Sequence, residues 1–252
     1  MDYKKLQNGS DIRGVALEGI EGQHINLTEE VCRNIGRGFA LWLKEKTNKT
    51  DLRVAVGRDS RLSGPQLCTW ICEAMVAAGL NVTNFGMAST PAMFMSTVTE
   101  GYAFDGSVMI TASHLPFNRN GFKFFTPAGG LEKGDIKAIL TYAEGEETTG
   151  LPAGSLRDGE FMDTYGKILA DKIRAAAGCE KPLEGFRIVV DAGNGAGGFY
   201  ADKVLTPLGA DTTGSRYLEP DGRFPNHIPN PENAEARASI TEAVRESGAD
   251  FG

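Results

Sequence analysis

Residues 106–123 read GSVMITASHLPFNRNGFK, and the way this stretch divides decides the fold. Ser107–Ile110 is a short apolar run that predicts a strand, and Phe122, Phe124 and Phe125 predict a second. Between them Thr111-Ala112-Ser113-His114-Leu115-Pro116 is a tight polar loop. A strand running into a hydroxyl-rich turn sets Ser113 at the mouth of a sheet, where backbone N–H groups point outward. α/β proteins hold a nucleophile or a phosphate at that place. Pro116 stiffens the exit, and Asn120-Gly121 is expected to form a turn tolerating positive φ that returns Lys123 towards the loop. Taken alone, the same residues also describe a plain hairpin with a polar tip.

Working outward, strand and helix alternate. Leu52–Val56 predicts a buried strand, and Gly57-Arg58-Asp59-Ser60-Arg61-Leu62-Ser63-Gly64 follows as a basic polar loop. A helix is expected from about Pro65 to Ala78, with Ser63 and Gln66 as a capping box. A strand, a basic loop and a helix N-terminus in this order favour an anion, although Arg58 and Asp59 could equally pair and hold the loop. Upstream, Asp11-Ile12-Arg13-Gly14 reads as a polar turn. Asn26 with Glu29 predicts a capped helix whose Val31, Ile35, Phe39 and Trp42 share a face, with Gly36 and Gly38 allowing close approach to a sheet. A strand over Leu80–Phe85, a short helix from Thr90-Pro91 and a helix over Asp135–Tyr142 complete βαβ units in a mostly parallel sheet.

Residues 144–159, EGEETTGLPAGSLRDG, are poor in bulky apolar side chains and predict a linker. The expected division is a first domain over 1–145, a linker over 146–158 and a second domain over 159–252. The second opens with an amphipathic helix carrying Phe161, Tyr165, Ile168, Leu169 and Ile173, followed by a buried strand over Phe186–Asp191. Gly193, Gly195 and Gly198 then satisfy G-x-G-x-x-G, and Asp211 stands near the place of a ribose-binding acid, so a dinucleotide-binding module resting on Gly193–Gly198 is the alternative function. His227 has no Cys or His at metal-ligand spacing and reads as structural. A last helix is expected over about Glu232–Ser247, with Ala249–Gly252 starting another strand.

Composition narrows the partners. The 252 residues are 41% hydrophobic and 23% charged, with a net charge of −7, which argues against nucleic acid or an anionic membrane as the main partner. An anionic substrate then needs a locally basic pocket. The four cysteines, Cys32, Cys68, Cys72 and Cys179, show no C-x-x-C spacing, and Cys68 and Cys72 read as small core residues of one helix. With no apolar leader-like segment and no long apolar run, the expected location is cytoplasmic. A serine hydrolase would want G-x-S-x-G, which Ser113 lacks.

TASHLP followed by NGFK resembles the phosphoserine loop of the phosphohexomutases (the phosphoglucomutase/phosphomannomutase superfamily), which reads T-A-S-H-N-P then N-G-x-K; Leu115 replaces the usual Asn. In order along the chain, DIRG, GRDSR, VVDAGNGAG and PDGRFPNHIPNP resemble further family segments. The resemblance covers nearly the whole sequence but about the first half of a family member. It implies two similar α/β/α domains with mixed, mostly parallel sheets, the second truncated before its last strands. It also implies that Ser113 carries a phosphoryl group between the 1- and 6-positions of a hexose phosphate through a bisphosphate intermediate. Arg13 becomes a phosphate-binding cation, Lys123 the general acid/base, and His114 a residue orienting substrate or loop. Arg58, Asp59 and Asn120 would support the site from behind. Mg²⁺ would reach Ser113 through its phosphate, its aspartate ligands lying beyond Gly252. By this reading the 252 residues alone are inactive, and the open edge of the second domain favours dimerisation.

Overall fold

The computed structural model describes residues 2–145 and 152–252. By its internal contacts the chain forms two compact units. The first comprises the chain to Asp59, Ser63–Ala112 and Phe117–Gly159; the second comprises Ser60–Leu62, Ser113–Pro116 and Glu160–Gly252.

In the first unit the strands are β1 (Gln7–Asn8), β2 (Asp11–Val15), β3 (Arg53–Arg58), β4 (Asn81–Met87), β5 (Gly106–Ile110), β6 (Arg119–Thr126), β7 (Gly129–Gly130) and β8 (Leu156–Asp158). The helices between them are α1 (Glu29–Thr47), α2 (Gly64–Ala77), α3 (Thr90–Val98) and α4 (Lys133–Glu144). The sheet order is β1-β2-β6-β5-β3-β4-β8, with β7 paired to β6. It is mixed: β5, β3, β4 and β8 run parallel, whereas β1, β2, β6 and β7 are joined antiparallel.

Strand alternation sorts the side chains to two faces. Val54 and Val56 join α1, α2 and α4 in the main core with Ile12, Val108, Ile110, Phe122 and Phe124. On the other face Gly57 lies against Met93 of α3, where a Cβ would come within 2.7 Å of Ala88. Helices on both faces make an α/β/α layer structure. Burying a side chain such as Phe39, fully covered in this core, contributes about 1.5–3 kcal/mol.

Several local expectations are corrected. Asp11–Gly14 is strand β2 and not a turn. Asn120-Gly121 lies inside β6 and makes no turn; Gly121 is needed because a Cβ there would run into the Ile12 carbonyl oxygen of the neighbouring strand. Thr28, not Asn26, caps α1, while the Asn26 side chain accepts from the Val15 N–H at 2.7 Å. Ser63 precedes α2 without capping it, its hydroxyl instead accepting from the Asn120 amide at 2.9 Å. Gly36 and Gly38 of α1 meet α2 and α4 and not the sheet, at the Ile71 and Ile139 carbonyls. Of the expected linker, residues 146–151 lie outside the described residues, and Leu156–Asp158 form β8 beside β4.

The second unit opens with α5 (Met162–Ala177), whose Ala170 packs with Val204, Leu208 and the half-buried Leu169, Leu183 and Phe199. Three parallel bridges, Arg187↔Asp211, Ile188↔Phe251 and Asp191↔Arg216, set the 187–191 segment between its neighbours. Helix α6 (Ala234–Ser247) starts at Asn233, whose side chain accepts from the Glu235 N–H at 2.8 Å, and stops at the left-handed Gly248. Among the described residues no helix is long and apolar enough to cross a membrane.

Candidate active site

Two clusters hold the residues singled out by sequence. The first is built on the pairing of β2 with β6, where Arg13 faces Gly121, and of β5 with β6, where Met109 faces Lys123. Arg13 donates to Asp11 Oδ2 at 2.7 Å, and Lys123 Nζ donates to the same oxygen at 2.6 Å. The side chains of Arg13, Lys123 and Asp11 are 15%, 23% and 10% exposed, so the cluster is screened but reachable. The sequence reading had only cations here. Asp11 was missed, and its carboxylate stands between the two cations as their shared acceptor. The cluster as a whole carries one net positive charge.

The second cluster is the Ser113 loop. Ser113 adopts φ 56°, a left-handed backbone that an L-residue other than glycine adopts at a cost of about 1 kcal/mol. Its Oγ lies 3.3 Å from His114 Nδ1. Arg61, fully buried, donates to the carbonyls of Ser113 at 2.9 Å, Leu115 at 2.7 Å and Pro116 at 2.8 Å. A planar guanidinium with several fixed donors suits such a row of acceptors, and a lysine could not serve all of them in one geometry. Sequence reading passed over Arg61, since nothing in G-R-D-S-R marks which arginine is buried.

Arg58 and Asp59 stand at the C-terminal end of β3, and Asn120 near the start of β6. Asp59 Oδ2 accepts from the Thr111 hydroxyl at 2.6 Å, and the Thr111 N–H donates to the Gly121 carbonyl at 3.0 Å, so the loop leaves β5 from a fixed point. Arg58 donates to the Asp59 carbonyl at 3.3 Å rather than to its carboxylate. Asn120, fully buried, joins Ser63 to the Gly121 N–H.

Within 193–198, Gly193 and Gly198 serve the chain's own packing. A Cβ on Gly193, at φ 52°, would lie 2.8 Å from the His227 ring, and one on Gly198 would meet the Leu218 carbonyl. Asn194 donates to the Glu219 carbonyl at 2.9 Å. The His227 ring is held within the chain: Nε2 lies 3.0 Å from Asp191 Oδ1 and Nδ1 3.0 Å from the Ile228 carbonyl. Both ring nitrogens face acceptors, which calls for the doubly protonated ring. Burial works against that charge, but the Ile228 carbonyl and the Asp191 carboxylate outweigh it and raise the His227 pKa above its ordinary value.

Among the described residues no group of three or more His, Cys, Asp or Glu could hold a metal ion. The described carboxylates therefore do not fit a magnesium site.

Comparison with known proteins agrees with this architecture. Residues 4–149 match the family model for phosphoglucomutase/phosphomannomutase α/β/α domain I, and residues 163–252 match that for domain II. A phosphomannomutase/phosphoglucomutase of Pseudomonas putida is 34% identical over 96% of this chain and 49% of its own length. A phosphoglucosamine mutase of Carboxydothermus hydrogenoformans is 32% identical over 98% of this chain and 53% of its own. The crystal structure of a phosphoglucomutase/phosphomannomutase family protein from Burkholderia thailandensis superposes with a TM-score of 0.77 at 28% identity, over 99% of this chain and 52% of that one. The chain thus spans about half the length of the relatives it matches. With both domain models matched in order over nearly all of its residues, the chain belongs to the phosphoglucomutase/phosphomannomutase family.

Proposed function

We propose that this chain carries the phosphoryl-bearing serine of a phosphohexomutase. Ser113 Oγ holds a phosphoryl group and passes it to the free 1- or 6-hydroxyl of a hexose monophosphate, forming a P–O bond to the sugar as the one to serine breaks. The bisphosphate turns over in the site and the other phosphoryl returns to Ser113, so phosphoryl groups are conserved. Serine suits the resting state because uncatalysed hydrolysis of a phosphate monoester is among the slowest reactions known. Phosphoryl transfer relies chiefly on positioning and charge. Arg13 supplies a fork for phosphoryl oxygens, Lys123 the proton exchanged with the sugar hydroxyl, and His114 the orientation of the Ser113 side chain. Magnesium belongs to the proposal as the family's usual metal, with a ligand set that the described residues do not supply.

The observation that carries the reading is the Ser113 loop itself: a serine in a left-handed conformation, with its own carbonyl and two that follow held by one buried arginine. Intact mass and peptide mapping after incubation with a hexose bisphosphate test it. One added phosphoryl group on Ser113, absent from Ser113→Ala, supports the reading; labelling elsewhere, or none, ends it. The proposal assigns carriage and not turnover to these 252 residues, so hexose-phosphate isomerisation by this chain alone at an enzyme's rate contradicts that part. A division into two domains is proposed from the two compact units, with β8 placing the end of the expected 146–158 linker in the first.

A further inference from the structure

Beside the first unit's sheet, a cavity of about 260 Å³ is lined by Cys68 and Cys72 of α2, Asn84 of β4, Arg58, Pro65 and Leu156. The two sulfurs are 3.8 Å apart, and Cys68 Sγ is 3.5 Å from Asn84 Oδ1. Both thiols are buried, at 5% and 2% exposure, yet both face the cavity. The sequence reading took them for core filler, which accounts for the burial but not for the open space beside them.

We propose that Cys68 and Cys72 form a dithiol site for a trivalent thiophilic centre of the arsenical type. One turn of helix separates the residues, and i,i+4 Cβ atoms stand ~5–6 Å apart, whereas a disulfide draws its Cβ atoms to ~3.5–4.5 Å. Direct S–S bonding would therefore unwind α2, while one atom bridging the sulfurs would not. The site offers two sulfurs and no third strong donor, which suits a centre that takes two thiolates and keeps a substituent of its own. In the reaction R–As=O plus two thiols, two As–S bonds form and the As=O bond breaks. Both thiol protons leave with the oxygen as one water, and arsenic stays trivalent. The hydrogen bond from Cys72 lowers the Cys68 thiol's pKa, with burial opposing and Arg58 assisting, so Cys68 attacks first. Asp158 opposes both ionisations and Glu73 that of Cys72. Pro65 and Leu156 give an organic substituent an apolar wall.

Phenylarsine oxide added to the native chain tests this by intact mass and peptide mapping. The expected result is a one-to-one adduct bridging Cys68 and Cys72, reversed by a small dithiol. It should disappear in Cys68→Ser and in Cys72→Ala and persist in Cys32→Ser and Cys179→Ser. Mapping on the unsubstituted protein keeps the test decisive if either helix variant fails to fold. An absent adduct, one that survives loss of Cys68, or one mapped to the exposed Cys179 overturns the proposal.

Discussion

Two loops of this molecule are each gripped by one basic side chain, and the grips differ in kind. Arg61 holds the Ser113 loop by three main-chain carbonyls. His227 holds the glycine-rich turn by the Asp191 carboxylate on one side and the Ile228 carbonyl on the other. Asp191 is itself fixed by the Gly193 N–H at 2.9 Å and the Ser239 hydroxyl at 2.6 Å. A guanidinium stays charged at every pH a protein survives, whereas an imidazolium does not. The loop that bears the serine is thus held by a permanent charge, and the turn that shapes the second unit by a titratable one.

Removing the permanent charge should have the largest effect. Arg61→Ala forfeits three charge-assisted hydrogen bonds and leaves carbonyls to find water, for a loss of roughly 3 kcal/mol in urea unfolding. Arg61→Lys should recover only part of it, and full recovery would show that charge alone, without the fork, does the holding. On the proposed function, both variants also lose phosphoryl labelling of Ser113.

Next is Gly193→Ala, which must accept φ 52° and push the His227 ring aside. The expected cost is about 2 kcal/mol, read as a fall in Tm, and an unchanged Tm would mean that the turn yields. His227 itself gives a smaller, pH-shaped effect. Its folded pKa lies above its unfolded one, so its contribution is complete below the unfolded value of ~6.5 and fades as pH rises through the folded value. Thermal melts should show the wild type losing its advantage over His227→Gln across that window, and a constant difference between the two would remove the titratable grip from the account.

The smallest effect is expected at Ser113→Gly. Relief of the left-handed backbone offsets the added entropy of the unfolded chain, leaving stability unchanged or up to about 1 kcal/mol higher. A clear loss of stability would mean that the serine side chain braces the loop.

What sequence made legible follows from which signals are local. The succession β3, α2, β4, α3, β5, β6 and the position of the serine loop follow from apolar periodicity and turn residues. Misreading β2 as a turn had a traceable consequence. On a strand, residues 11 and 13 point to the same face, so a strand assignment places Asp11 beside Arg13 from sequence alone. Gly121 was singled out for the wrong property: it serves close approach between strands, which sequence does not display. Arg61 could not be separated from Arg58 by residue type, because burial of a guanidinium depends on carbonyls supplied from fifty residues away. Asn26 and Ser63 matched capping patterns, yet tertiary partners claimed their side chains.

The arginine clasp also reaches the other end of the amide it grips. Among the described residues no peptide bond is cis, so the Ser113 carbonyl and the His114 N–H lie on opposite edges of one rigid plane. Turning that oxygen down towards the guanidinium swings the hydrogen up and away, leaving a partial positive charge on the far edge, next to the serine. A side chain on one side of the loop thereby sets the polarity presented on the other.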